Sequence, residues 1–238
     1  MDLEDRLQSL MKLVDSKTAD YFMFDTSELG RYFLGGYQLN LDFFLSHPDS
    51  EKTHFSIRTA LDNAQVCFEF LRNRKNTIAP PAVIGESQGK IIALKRFANQ
   101  YELLDKLIKK EEQIIDLLTS RIEKVPSPNV LHSYKGFVID AARQGDGNLV
   151  DETIVAEAMY KAFLNEQRIA IVTKDRRFKD ILIKTQNSLA LYGKECRDLL
   201  DFLQRGNLSI ILGERYKGFY VDYNSREFNP SYMQVKPS

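Results

Sequence analysis

Apolar positions in this chain recur at two periods, and the changes of period divide it into elements. Residues 2–18 place Leu3, Leu7, Leu10, Met11 and Leu13–Val14 toward one side, which is helical spacing. "YFMF" at 21–24 is a short continuous apolar run ending on Asp25, and it predicts a buried strand. "SELGRYFLGGY" then opens a helix or a loop that Gly35-Gly36 ends. Residues 55–72 return to helical spacing, with Phe55, Leu61, Ala64, Phe68 and Leu71 inward. "NTIAPP" predicts a very short strand stopped by Pro80-Pro81. Pro81 can open the next helix, because the N–H it lacks has no partner at a first helical position.

From 91 to 124 one long helix is expected. Leu94, Phe97, Tyr101, Leu104, Ile108, Glu111, Ile115, Leu118 and Ile122 alternate three and four apart. They form a heptad stripe with one polar interruption at Glu111, and Pro126 and Pro128 end it. The stripe packs on the helix at 55–72 or forms the seam of a homodimer. "GDGN" at 145–148 reads as a turn, and Asp151–Leu164 as a helix with acids in its first turn, favourable against the helix dipole. Residues 169–173 are a strand, followed by Asp175 and a helix through about Ile183. "LALY" at 189–192 reads as another strand, and "LSIIL" and "GFYVDY" as a β-hairpin around "GERYK". The last ten residues are expected to be loose. Strands alternating with helices predict an α/β layered fold with a mainly parallel central sheet flanked by helices.

Composition narrows this picture modestly. The 238 residues are 43% apolar and 28% charged, with acids and bases balanced at 33 each. A protein that coats nucleic acid by charge alone is therefore not expected, whereas a local basic patch is compatible. The first twenty residues hold no uninterrupted apolar stretch, and no run of about 18 apolar residues occurs, so neither a secretory signal nor a membrane span is expected. Cys67 and Cys196 stand alone, which suits reduced thiols in a cytoplasmic protein. The histidines at 47, 54 and 132 show no zinc-ligand spacing.

Four carboxylates carry the functional argument. Asp25 follows one buried strand and Asp175 follows another, so in a parallel sheet both stand at the carboxyl-end edge, where open α/β sheets build their sites. Asp151 begins the helix that leads into the strand before Asp175, and Glu86 lies about a turn and a half into the helix after Pro80-Pro81. Gathered together, four such groups suit a hard divalent cation, which can activate water and neutralise a phosphodiester. Crowding would also raise the pKa of at least one of them. Singly, each has a local explanation. Asp25 and Asp151 can cap helices, Asp175 can close a turn, and Glu86 can be a solvated helix position.

Taken in order, the motifs resemble the PIN-domain nuclease family. "FMFDTSELGRYF" at 22–33 is similar to that family's opening strand, Asp and hydroxyl residue. "IAPPAVIGE" at 78–86 is similar to its second strand and acidic helix. "VDETIVAEAM" at 150–159 and "IVTKDRRF" at 171–178 are similar to its later motifs. The resemblance implies a three-layer PIN-like domain over 19–192, preceded by an N-terminal helix at 1–18. It also implies a long helical addition at about 87–125, and an extension at 193–238 carrying a helix and the β-hairpin. By it, Asp25, Glu86, Asp151 and Asp175 are catalytic residues that ligate Mg²⁺ or Mn²⁺. Thr26 or Ser27 supports them through a hydroxyl. Glu152 stands where the family often has a small apolar residue, and it either joins the metal or only suits the helix dipole. Lys174, Arg176 and Arg177 meet an incoming phosphate, or Arg177 instead braces the acids. Phe178 turns inward as an anchor. Gly85 and Gly89, close to Glu86, are expected to loosen its helix.

The implied activity is metal-dependent endoribonucleolytic cleavage of single-stranded RNA. The alternative is a non-catalytic PIN-like module that binds nucleic acid or a protein partner or inhibitor. Other phosphate chemistries fit poorly. A HAD-type phosphatase needs Asp two residues after its nucleophile, and position 27 is Ser. A receiver domain needs an acidic pair after its first strand, and no P-loop motif is present.

Overall fold

The computed structural model describes residues 8, 10–12, 14–15, 19–32, 39, 46–47, 50–121, 149–191, 197–213 and 220–224. Five strands form one sheet. They are β1 (Tyr21–Phe24), β2 (Thr77–Ile78), β3 (Ile169–Thr173), β4 (Leu208–Gly213) and β5 (Tyr220–Asn224), in the order β2-β1-β3-β4-β5. β1 to β4 run parallel, and β5 returns antiparallel against β4. The helices are α1 (Thr26–Tyr32), α2 (Glu51–Asn73), α3 (Pro81–Lys95), α4 (Glu102–Thr119), α5 (Leu149–Asn165), α6 (Arg177–Leu191) and α7 (Arg197–Gln204). Every residue of β3 is buried. Successive side chains on a strand point to opposite faces, so both faces of the sheet centre are covered by the flanking helices. This is the α/β layering expected from the alternation of periods, and β4 and β5, from the segment beyond 192, belong to the same sheet.

Helix starts follow local chemistry. Ser50 caps α2, its hydroxyl accepting from the Thr53 N–H at 3.1 Å. Pro81 occupies the first turn of α3, after Pro80 in an extended conformation. Near the amino terminus the described residues at 8, 10–12 and 14–15 are helical, and Leu10 and Val14 are buried. Leu3, Leu7, Leu13, the Gly35-Gly36 pair, Ile122, Pro126, Pro128, the "GDGN" turn, Cys196 and the last ten residues lie outside the described set.

Three expectations are corrected. The segment 91–124 is not one helix. α3 ends at Lys95, a 3₁₀ turn spans Ala98–Gln100, and Tyr101 is extended before α4 begins. α3 and α4 pack on each other, so both arms of the hairpin bury parts of one stripe, and the period survives the break. The strand expected at 189–192 is instead the end of α6, where Phe178, Ile181, Leu182, Thr185, Gln186, Ser188 and Leu189 are buried at helical spacing. Phe55, expected inward, is 71% exposed. The buried face of α2 runs through Thr53, Ile57, Ala60, Ala64, Cys67 and Leu71, and Phe55 is out of phase with it.

The heptad stripe is occupied within the chain. Leu94, Leu104, Ile108, Glu111, Ile115 and Leu118 are all buried, and α4 packs on both α2 and α3. Arg121, just past α4, reaches back to this layer. Its guanidinium donates to the carbonyls of Leu71, Arg74 and Thr77 and to Thr77 Oγ1, at 2.6–3.0 Å. Cys67 is buried, which pushes its thiol up to about 12. Among the described residues no helix is long and apolar enough to cross a membrane.

Candidate functional site

Sheet register decides where the acids stand. β1 and β3 are adjacent and parallel, with Phe24 opposite Val172. One residue further on, Asp25 leaves β1 level with Thr173, and Asp175 follows two positions later. Both acids therefore lie at the same carboxyl-end edge. Thr173 joins them: its hydroxyl donates to Asp25 Oδ2 at 2.7 Å and accepts from the Asp175 N–H at 3.0 Å. Sequence reasoning missed Thr173. The available signal was a hydroxyl closing an otherwise apolar strand two residues before the acid.

Asp25 is 3% exposed. Its Oδ1 accepts from the Glu28 N–H at 2.8 Å, so it does cap α1, and the Ser27 hydroxyl lies 2.8–2.9 Å from both its oxygens. Burial raises its pKa, against the opposing effect of the Thr173, Glu28 and Ser27 hydrogen bonds and the charge of Lys174. The cap and the site are thus compatible roles. Thr26, next along α1, donates to Glu86 Oε2 at 2.8 Å. This ties the exposed Glu86 of α3 to the residue beside Asp25, across a contact of α1 with α3. Both hydroxyls expected to support the site do so by geometry, one on each acid. Gly85 and Gly89 lie inside an unbroken α3, so the expected loosening does not interrupt the helix.

Asp151 arrives from another direction. α5 connects to β3 through a tight turn in which Glu166 has a left-handed backbone (φ 51°), so the far end of α5 returns to the carboxyl edge. Asp151 sits in its first turn. Burial pushes its carboxyl up to about 6, the nearby Arg177 opposes this, and the charges of Asp175, Asp25 and Glu86 raise it further. All three other acids are therefore near enough to act on it. Its Oδ2 is shielded from solvent and has no hydrogen-bond partner among the described residues. Glu152 is buried in the same turn, and among the described residues no hydrogen bond or ion pair joins it to the four acids.

Asp175 closes an Asx turn at the start of α6, its Oδ1 accepting from the Arg177 N–H at 2.9 Å. Arg177 Nε donates to Asp175 Oδ2 at 2.8 Å, and Nη2 bonds the same oxygen while lying 3.4 Å from Asp151 Oδ2. Those hydrogen bonds hold the Asp175 carboxyl below its ordinary value. Arg177 thus braces the acids. Lys174 and Arg176 are exposed at the same edge, and Phe178 is fully buried as the anchor of α6.

The donor chemistry, carboxylate oxygens with one of them unpartnered, suits Mg²⁺ or Mn²⁺. The spacing does not yet match it. Among the described residues no three His, Cys, Asp or Glu side chains stand close enough to hold an ion together. No protein family, no curated protein and no solved structure matches this chain.

Proposed function

We propose that this protein is a divalent-metal-dependent hydrolase of phosphodiester bonds, acting on single-stranded RNA. The observation that carries the reading is the joining of Asp25 and Asp175 through Thr173 at one sheet edge, within the electrostatic reach of Asp151 and Glu86. The resemblance of its motifs to PIN-domain nucleases supports the choice of RNA. Mg²⁺ or Mn²⁺, when bound, lowers the pKa of water and offsets charge on the phosphate. The chain's own part is positioning. Ser27, Glu28 and Thr173 hold Asp25 in one orientation, and the backbone of Arg177 fixes Asp175. Thr26 holds Glu86 toward them. Asp151 Oδ2, with no hydrogen bond to give up, is the oxygen best placed to take a proton or a new ligand. Lys174 and Arg176 supply positive charge beside the acids, where a phosphate backbone would lie.

A non-catalytic nucleic-acid-binding module is the second reading, favoured by the absence of ligating spacing among the described residues. End-labelled single-stranded RNA, incubated with wild type or Asp175→Asn in Mn²⁺ and in EDTA, separates the two. The proposal expects cleavage by wild type in Mn²⁺ alone. Retention of RNA without cleavage supports the second reading, and equal cleavage by both proteins refutes the first.

A further inference from the structure

Arg177 stands between two of the acids, and its position accounts for the spacing that a metal site lacks. One guanidinium nitrogen contacts Asp175 Oδ2 and lies 3.4 Å from Asp151 Oδ2, so it spans the start of α6 and the first turn of α5. A divalent ion joining the same two oxygens needs each at about 2.0–2.2 Å, which a nitrogen between them excludes. The guanidinium side chain is 58% exposed, so it can turn into solvent without moving the backbone. Its N–H contact to Asp175 Oδ1 comes from the main chain and survives that turn.

We propose that Arg177 is a built-in counter-cation, holding Asp175 and Asp151 in the metal-free protein until a divalent ion displaces it. The inference rests on the metal-dependent reading above. In the metal-free state the guanidinium offsets repulsion between two crowded carboxylates. On metal binding it is released toward solvent at the edge where Lys174 and Arg176 are exposed. Arg177 is therefore a positioning residue whose removal has opposite effects on the two states. Arg177→Gln keeps the reach and loses the charge, so the folded protein loses its offset without metal and gains metal affinity. Arg177→Lys keeps the charge and loses the planar fork, and falls between.

The test is titration of the full chain with Mn²⁺ alone, following free Mn²⁺ by its electron paramagnetic resonance signal and, in parallel, the melting temperature in EDTA. Arg177→Gln should bind Mn²⁺ about 2- to 10-fold more tightly than wild type, on the scale of one exposed ion pair plus relief of cation repulsion. It should melt lower in EDTA, with Arg177→Lys intermediate in both measurements. Wild type binding Mn²⁺ with Arg177→Gln equal or weaker overturns the displacement and leaves the metal reading standing. Binding by wild type that Asp175→Asn leaves unchanged puts the ion elsewhere and overturns it too. Absence of binding by both wild type and Arg177→Gln overturns the displacement and the metal reading together.

Discussion

Asp151→Asn gives the most direct measure of how crowded the acids are. The folded carboxyl is raised from 3.8 to about 6, chiefly by burial and then by the other acids. A raised carboxyl keeps its proton longer in the folded state than in the unfolded chain. Stability from this group is therefore highest below pH 3.8, falls as pH rises toward 6, and stays reduced above it. The difference is roughly two pH units at about 1.36 kcal/mol each, so ionisation costs the fold at most about 3 kcal/mol. Half of the surroundings is solvent-accessible and Arg177 is exposed, so screening reduces this to about 1–2 kcal/mol. Asparagine keeps the shape and removes the charge. At pH 7.5 in EDTA the variant should melt about 3–6 °C above wild type for a chain of this size. Near pH 4 the two should melt together. Mn²⁺ should reverse the order, since wild type gains about 2.7 kcal/mol at a hundred times its dissociation constant while the variant gains less. Calorimetry at both pH values, with and without Mn²⁺, is the assay. A variant less stable than wild type by one margin under all conditions would refute the reasoning, because Asp151 would then hold the fold through contacts and not carry a charge cost.

Two further predictions concern the scaffold. Arg121→Ala strips hydrogen bonds from the carbonyls of Leu71, Arg74 and Thr77 and should lower stability by about 2–4 kcal/mol in urea unfolding, given the worth of charged hydrogen bonds to part-buried groups. A loss under about 0.5 kcal/mol would mean that water replaces it. Gly89→Ala adds a Cβ that meets nothing within 4 Å inside α3. It should raise stability by about 0.4–1 kcal/mol through helix propensity and a less flexible unfolded chain, read by the same unfolding curves.

The sequence made the edge placement of Asp25 and Asp175 legible, because both acids directly follow buried runs and a parallel sheet puts such ends together. It also exposed the phase of α5 and the inward turn of Phe178. The role of Thr173 was not legible. It depends on the register of β1 against β3, a pairing across 148 positions that no local pattern encodes. The break at 96–101 was hidden for a different reason. Period reports which residues are buried, and both arms of a helical hairpin can share one period. The four-residue apolar run at 189–192 fits either element, and only its continuity with the buried positions of α6 decides. Arg177 was ambiguous between phosphate and acids because its direction is set by α5, which packs on α6 from elsewhere in the chain.

Arg121 has a consequence for assembly as well as for stability. β2 is the outer strand on one side of the sheet, and its Thr77 carbonyl points away from β1. An unpaired carbonyl at such a position is a template on which a foreign strand can dock. The guanidinium occupies it at 3.0 Å, with the Thr77 hydroxyl held by the same nitrogen. The sheet is thereby sealed on the β2 side against growth by strand addition. Self-association through main-chain pairing would have to use the opposite border, at β5.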